Sequence, residues 1–153
     1  MNADHYENVA LLRGLLLRLA RSDWRKLTKW SIKASEVRLL LVLKENSLLG
    51  ESQRMTVSDI SKILQVTSPT VTQMINNLIK NDYVIRTTHP TDRRIAEITL
   101  SQKGDKIAQE ASEMFTKMFE GLIDFLGKEQ SDQLIHLMDQ SIVYFEQVDI
   151  EKL

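Results

Sequence analysis

Residues 56–81 read TVSDISKILQVTSPTVTQMINNLIKN, and this stretch decides the fold. It opens with Thr56-Val57-Ser58-Asp59, which matches a capping box, where a hydroxyl and a carboxylate each pair with a free backbone amide at a helix start. A helix of about two turns is predicted to follow, with four apolar residues on one face: Val57, Ile60, Ile63 and Leu64. Gln65-Val66-Thr67 then forms a short turn.

A second helix follows this turn and runs to about Asn81. Either Thr67 or Ser68 can cap it, and Pro69 is tolerated in its first turn because backbone amides have no helical partner there. One face is apolar, with Val71, Ile75 and Leu78. The opposite face carries mostly small or amide hydrogen-bonding groups: Ser68, Pro69, Thr72, Gln73 and Asn76. Two short helices joined in this way predict a helix-turn-helix.

A β-hairpin is predicted directly after these helices. Residues 84–88 and 95–100 are β-branched, roughly alternating runs, which are typical of strands. Between them lies the polar segment His89-Pro90-Thr91-Asp92-Arg93-Arg94, which we expect at an exposed tip. The hairpin and the two helices together predict a winged helix-turn-helix.

Helices are also predicted before this unit. Residues 4–27 form one long amphipathic helix, because Val9, Leu12, Leu16 and Leu19 recur at spacings of three and four. Ser35 is expected to cap a strongly apolar helix that must be central and ends near Lys44. Residues 46–54 are polar and without periodicity, which predicts a loop.

Beyond Ser101 two more helices are predicted, separated by Gly127. Each carries an apolar stripe at heptad-like spacing: Ile107, Ala111, Met114, Met118 and Phe125 in the first, and Ile135, Met138, Ile142 and Phe145 in the second. The predicted fold class is mainly α with a small β-wing. Five glycines and two prolines in 153 residues agree with it, because an all-β sandwich or barrel needs more turns.

Composition excludes several classes of protein. No apolar run reaches the roughly 18 residues that a bilayer span needs, and the polar, acidic N-terminus does not resemble an export signal, so we expect a cytoplasmic protein that binds no membrane. The chain has no cysteine, which excludes a disulfide framework, a thiolate zinc site and a thiol redox switch.

No enzymatic site is predicted either. A nucleophile with its base, a paired carboxylate site and a glycine-rich phosphate loop are all missing from the sequence, so we expect neither catalysis nor a cofactor. The three histidines, His5, His89 and His136, lie on separate predicted elements and indicate no metal site.

Charge is distributed unevenly along the chain. Residues 1–53 carry nine Lys/Arg and six Asp/Glu, residues 54–106 carry eight and five, and residues 107–153 carry three and ten. The acidic last third is unsuited to phosphate contacts, whereas the middle third has the sign that DNA requires.

We interpret the polar face of the second short helix as a DNA-reading surface. Gln73 and Asn76 are the expected base readers, because these amides can pair with adenine in the major groove. On the hairpin, Arg93 and Arg94 are placed to reach a narrow minor groove, and Asp92 is expected to orient Arg94. Lys80, Arg86 and, with less support, His89 are expected at backbone phosphates.

Two other interpretations of these features stay open. A polar helix face can be solvated surface with no function. A winged helix can also bind protein, with Arg93 and Arg94 meeting an acidic partner.

The segment from Val57 to Gly104 resembles the MarR family of bacterial transcription regulators. The resemblance is carried by four motifs: Thr67-Ser68-Pro69-Thr70-Val71-Thr72, Asn81-Asp82-Tyr83-Val84-Ile85-Arg86, Pro90-Thr91-Asp92-Arg93-Arg94-Ile95 and Ile98-Thr99-Leu100-Ser101-Gln102-Lys103-Gly104. The helices on both sides fit the family's layout, so the resemblance extends over nearly the whole chain. Two features depart from it. Many relatives have Gly where this chain has Gln65, and the loop 46–54 is longer than usual, which leaves the start of the first wing strand undefined.

This resemblance implies a single MarR-like domain over residues 1–153, with a winged DNA-binding lobe at 35–101 and dimerisation helices at 4–28 and 102–150. It implies an obligate homodimer that binds a pseudo-palindromic operator on double-stranded DNA, acting as a repressor released by a small aromatic or phenolic ligand. DNA contacts are implied at Ser68, Pro69, Thr70, Thr72 and Gln73, with Arg94 in the minor groove beside Asp92.

The apolar stripes predict a dimer without the resemblance. They are wider than a small winged lobe could cover, and exposed stripes of that size mark an interface. Four aromatic residues are candidates for a ligand pocket, with core packing as the alternative: Trp24, Trp30, Phe115 and Phe119.

Overall fold

The structure is a computed structural model that describes residues 8–23, 29–49 and 54–152. Its elements are α1 (Val9–Arg21), α2 (Ala34–Leu48), α3 (Val57–Leu64), α4 (Ser68–Lys80), β1 (Val84–Thr88), β2 (Ala96–Leu100), α5 (Gln102–Leu126), α6 (Lys128–Gln147) and a short 3₁₀ helix (Ile150–Lys152). The predicted fold class, mainly α with a small β-wing, is confirmed.

Helix α1 ends earlier than the periodicity predicts. Ser22 takes an extended backbone conformation, and its hydroxyl donates a hydrogen bond to the Leu19 carbonyl at 2.6 Å. The side chain therefore satisfies one of the free carbonyls at the helix end. The predicted continuation to residue 27 is wrong at Ser22, and residues 4–7 and 24–28 lie outside the described residues.

Helix α2 is longer than predicted at both ends. The cap residue is Lys33 and not Ser35, and its backbone amide donates to the Glu36 carboxylate at 2.9 Å. The helix continues past Lys44 to Leu48, because Asn46 and Ser47 are polar but do not prevent helical hydrogen bonding. The predicted loop therefore starts later, and residues 50–53 lie outside the described residues.

The capping box of α3 is present as predicted. The Asp59 carboxylate accepts the Thr56 backbone amide at 2.9 Å, and the Thr56 hydroxyl accepts the Asp59 amide at 3.2 Å. Hydrogen bonds from the Thr56 backbone and then its side chain hold the pKa of Asp59 below its usual value. The helix that follows has the predicted length of about two turns.

The turn between α3 and α4 requires an unusual backbone. Gln65 lies in the left-handed region, with φ 53° and ψ 44°, where glycine is the preferred residue. Thr67 then caps α4 by accepting the Thr70 amide at 3.4 Å, and Pro69 occupies the first turn. The departure at Gln65 thus leaves the turn intact but places a side chain where the backbone disfavours one.

The wing is an antiparallel hairpin in which Val84 lies opposite Leu100 and Thr88 opposite Ala96. Strand β1 matches its predicted bounds, and β2 begins one residue later than predicted. Among the described residues, one further bridge joins Met55 to Ile98, whose amide donates to the Met55 carbonyl at 2.8 Å. The described chain before α3 thus adds one residue to the edge of the wing.

The core of the winged lobe is centred on α2. This helix packs against α3, α4 and β2, which confirms its predicted central position. The buried side chains come from all of these elements: Val37, Leu39, Leu40, Leu43, Ile60, Val71, Met74, Ile75, Leu78, Tyr83, Val84 and Ile98.

The chain divides into two compact units, one up to Gln109 and one from Glu110 onward. Within the second unit, α5 continues and α6 follows, and both present exposed apolar side chains such as Phe125 and Ile142. Every described side chain of α1 is exposed as well. Among the described residues, no helix combines the length and apolar character needed to cross a membrane.

Candidate nucleic-acid interface

Helix α4 separates an apolar face from a polar one. Val71, Met74, Ile75 and Leu78 are buried in the lobe. The predicted reading residues lie on the other side: Ser68, Pro69, Thr70, Gln73 and Asn76 are exposed, and Thr72 is half-buried. Burial of the apolar face fixes the rotation of the helix, so the amides of Gln73 and Asn76 point out of the lobe.

A groove of about 820 Å³ runs beside this polar face. Helix α4 lines it with Thr70, Gln73, Asn76 and Lys80. The opposite wall is the start of α2 and includes three residues that the sequence analysis did not assign to the DNA-reading surface: Lys33, Ser35 and Arg38. Lys33 and Arg38 thus add two cations to the predicted Lys80, which gives the groove three cations in all.

The signal that could have found these residues is the positive charge of the first third of the chain. That charge belongs partly to the start of α2. Only the packing of α2 against α4 shows that it lies beside the reading helix.

A buried carboxylate joins the two walls of the groove. Glu36 is 3% exposed, and its carboxylate accepts the Lys33 amide at 2.9 Å and the Asn77 side-chain amide at 2.7 Å. A buried carboxylate is costly unless such partners satisfy it. The pair therefore fixes the start of α2 against α4 and occupies the amide of Asn77.

The tip of the wing holds the predicted arginines. The Asp92 carboxylate accepts the Arg94 backbone amide at 3.0 Å and the Arg94 Nε at 3.3 Å. The Arg94 side chain is 92% exposed, so its terminal guanidinium nitrogens remain open to a ligand. Arg93 is exposed beside it.

The remaining predicted phosphate ligands lie in separate places. Lys80 lines the groove at the end of α4, whereas Arg86 is exposed on β1 opposite Ile98 in the register. The structure thus brings the α4 residues and Lys80 together, and Asp92, Arg93 and Arg94 together at the wing tip.

The base of the wing is held by the first turn of α5. The Ser101 hydroxyl donates to the Asp82 carbonyl, and it accepts the Gly104 amide at 3.0 Å. A side chain at Gly104 would meet the Tyr83 carbonyl oxygen, because a Cβ built there lies 1.9 Å from it. Lys103 lies over the Tyr83 ring, 4.4 Å from its centroid. Close backbone approach therefore explains why glycine stands in this motif.

The aromatic candidates for a ligand pocket fall on different parts of the chain. Trp24 lies outside the described residues. Trp30 is half-buried beside Lys29, in the first compact unit. Phe115 and Phe119 lie one turn apart on α5, in the second unit.

With this geometry established, comparison with known proteins is informative. The sequence model of the MarR family matches residues 47–96, which include α3, α4, β1 and the tip of the wing. Over these residues the chain is similar to the MarR family. Proteins of that family are non-enzymatic DNA-binding transcription regulators, which agrees with the prediction of no catalytic activity.

Two curated relatives resemble this chain. An uncharacterized HTH-type transcriptional regulator of Bacillus subtilis, YsmB, is 34% identical over 80 residues, which are 50% of this chain and 55% of YsmB. The chain thus spans about half the length of that relative. A second such regulator of Bacillus subtilis, YpoP, is 24% identical over 135 residues, covering 88% of this chain and 91% of YpoP.

A solved structure shows the same fold. The S. aureus MepR–DNA complex superposes with a TM-score of 0.69 at 24% identity, over 89% of this chain and 96% of MepR. The likeness shows that the chain has the fold of that protein, a winged helix-turn-helix with helices before and after it in the sequence.

Proposed function

We propose that this chain is a transcription regulator that binds double-stranded DNA through α4 and the wing. One observation carries the proposal: two separate elements present groups of the chemistry that DNA requires. Helix α4 exposes Gln73 and Asn76 in a groove edged by three cations, and the wing tip holds Arg94 against Asp92. Amides suit base edges in the major groove, and an oriented arginine suits a narrow minor groove.

The individual contacts are assigned on the same grounds. Gln73 and Asn76 read bases, and Ser68, Pro69, Thr70 and Thr72 meet bases or the adjoining phosphates. Lys80 and Arg86 bind phosphates, and Arg93 supports Arg94 at the minor groove. Lys33 and Arg38 join the phosphate contacts, because they lie across the groove from Asn76.

The regulator acts as a homodimer on a pseudo-palindromic operator. The winged lobe is at residues 35–101, and the helices at 4–28 and 102–150 form the interface. The exposed apolar residues of α1 and α6 support this assignment, because monomeric proteins rarely expose such continuous apolar surface. A two-fold dimer also presents two α4 helices to two half-sites about one helical turn apart.

The regulator represses transcription and is released by a small aromatic or phenolic ligand. This part rests on the family. Any ligand that lowers operator affinity must bind the weaker-binding conformation better. Trp24, Trp30, Phe115 and Phe119 are the proposed lining residues. The protein works in the cytoplasm, where its operator is.

The first experiment is selection of binding sites from a random duplex library at near-physiological salt, where non-specific binding is weak. An inverted repeat with half-site centres one helical turn apart is the expected product. No enrichment by a folded, dimeric protein would instead favour the protein-binding winged helix.

Two variants test the assigned contacts on the selected duplex. Arg94→Ala is expected to weaken binding and to lower the salt slope by about one, because one phosphate-adjacent cation is lost. Lys117→Ala on α5 is the matched control and should leave the slope unchanged. Gln73→Ala is expected to relax preference at one position in each half-site, by about 1 to 3 kcal/mol. Identical selected sequences for Gln73→Ala and the parent would remove Gln73 from base reading.

A further inference from the structure

The wing tip contains a half-buried histidine whose ring contacts the loop. His89 follows β1 directly, and its side chain is 34% exposed. Its backbone amide donates to the Ile95 carbonyl at 2.9 Å, which closes the base of the loop. The ring nitrogen Nδ1 lies 3.2 Å from the Thr91 amide, 3.3 Å from the Asp92 amide and 2.9 Å from the Thr91 hydroxyl.

These contacts indicate which ring nitrogen of neutral His89 carries the hydrogen. A nitrogen that accepts backbone N–H groups must present its lone pair, so Nδ1 carries no hydrogen. The hydrogen of the neutral ring is then on Nε2, which faces the Glu97 carboxylate at 3.6 Å. Glu97 is buried and accepts a hydrogen bond from Arg54 at 2.7 Å. The contacts form a continuous chain from Arg54 through Glu97 and His89 to the loop.

The loop amides that His89 holds are next to the DNA-facing group. Asp92 supplies one of those amides, and its carboxylate accepts both the backbone amide and the Nε of Arg94. Within the part of the chain that the structure describes, Arg94 makes no other hydrogen bond or ion pair. Its direction therefore depends on Asp92, and the position of Asp92 depends on the loop that His89 closes.

We propose that His89 is a positioning residue of the wing, which sets the direction of Arg94 through Nδ1. The consequence for DNA rests on the proposed function, whereas the arrangement of the loop does not. The expectation that His89 itself meets a phosphate is replaced, because Nδ1 is occupied by the loop and Nε2 faces a buried carboxylate.

Two amide substitutions separate the roles of the ring nitrogens. Asparagine can place an oxygen near the position of Nδ1, whereas glutamine places its amide near the position of Nε2. On the duplex recovered from the random library, His89→Gln is expected to bind about 10-fold more weakly than the parent. His89→Asn should stay within about 2-fold of the parent. Equal weakening by both variants would overturn the assignment to Nδ1.

A double substitution tests whether the effect passes through Arg94. In an Arg94→Ala background, His89→Gln should cause no further loss of affinity, because the group that it positions is already gone. Additive losses would mean that His89 acts on DNA by another route, and the proposal would fail.

Nitrogen NMR of the DNA-free protein makes the test independent of binding, and the tautomer of the parent is measured without any variant. The neutral His89 ring of the parent should show a bare Nδ1 and a protonated Nε2. The amide signals of Thr91 and Asp92 should move in His89→Gln and be recovered in His89→Asn. A proton on Nδ1 of the neutral ring would overturn the inference. If the parent enriches no duplex but shows the expected tautomer and amide shifts, the proposed function fails while the role of His89 in the loop stands.

Discussion

The winged lobe and the terminal helices bury their apolar residues to very different extents. In the lobe, Leu39, Ile60 and Leu78 are completely buried. On α1 and α6, by contrast, Leu12 and Ile142 remain more than half exposed. The lobe therefore obtains its hydrophobic stabilisation within itself, whereas the terminal helices expose apolar surface that the proposed dimer would cover. Substitutions in the two regions should accordingly change different quantities.

The largest effect on stability is expected at the base of the wing. Gly104→Ala should lower the free energy of unfolding by about 3 kcal/mol, because the new Cβ collides with the Tyr83 carbonyl and backbone must shift. Urea denaturation at fixed protein concentration measures it. Gly121→Ala in the same helix is the matched control. A Cβ there meets nothing within 4 Å, so stability should rise slightly through helix propensity. Equal effects of the two substitutions would show that the close approach is unimportant.

Substitutions in the terminal helices should change how strongly two copies of the chain associate. Ile142→Asp on α6 is expected to weaken dimerisation about 100-fold, because a carboxylate would be buried in an apolar interface. Sedimentation equilibrium measures the monomer–dimer constant. Gln140→Asp adds the same charge to the same helix away from the apolar stripe and should change little. A monomeric parent protein at micromolar concentration would contradict the proposed interface.

The capping box predicts a dependence of lobe stability on pH. Because its hydrogen bonds lower the pKa of Asp59 below the usual 3.8, Asp59 stabilises the fold above that pH and loses this effect as pH falls through the lowered pKa. Asp59→Asn should therefore cost less than about 1 kcal/mol at neutral pH, since water screens this exposed group, and the difference from the parent should shrink in acid.

Urea denaturation across that pH range measures the effect. Asp124→Asn on α5 provides a comparison outside a capping box. A difference between Asp59→Asn and the parent that stays constant with pH would remove Asp59 as its source.

The smallest predicted effect is a gain in stability. Gln65→Gly should raise the free energy of unfolding by roughly 0.5 kcal/mol, because relief of the left-handed backbone exceeds the added flexibility of the unfolded chain. Thermal unfolding would detect it. Gln133→Gly inside α6 should have the opposite sign, since glycine weakens a helix interior. Destabilisation by both would mean that the Gln65 side chain contributes more than its backbone costs.

Local signals account for the elements that were predicted correctly. The capping box at Thr56, the Thr67 cap and the β-branched runs of the wing all act between residues close in sequence, so their pattern is sufficient. The predicted bounds of α1 and α2 were wrong because neither apolar periodicity nor residue polarity alone shows where a helix ends. Ser22 ends a helix whose apolar periodicity continues, and the polarity of Asn46 and Ser47 does not break one.

The candidate site was predictable only where its residues share one element. The polar face of α4 and the wing-tip arginines follow from spacing. The cations of α2, the bond from Asn77 to Glu36 and the ring of His89 against Glu97 depend on which elements pack together. Pairs separated by 41 positions, such as Asn77 and Glu36, leave no periodic trace in the sequence.

The hydrogen bond between Asn77 and Glu36 has a consequence for how such a regulator can diverge. Two neighbouring asparagines on α4 are constrained differently. The Asn76 side chain is exposed to solvent, whereas the side-chain amide of Asn77 donates a hydrogen bond to the buried Glu36 carboxylate. Replacing Asn76 would alter the surface without disturbing the lobe, whereas replacing Asn77 would leave the carboxylate short of a partner. Under the proposed function, a descendant of this protein could therefore acquire a new operator by changing Gln73 and Asn76, provided that Asn77 and Glu36 change together or not at all.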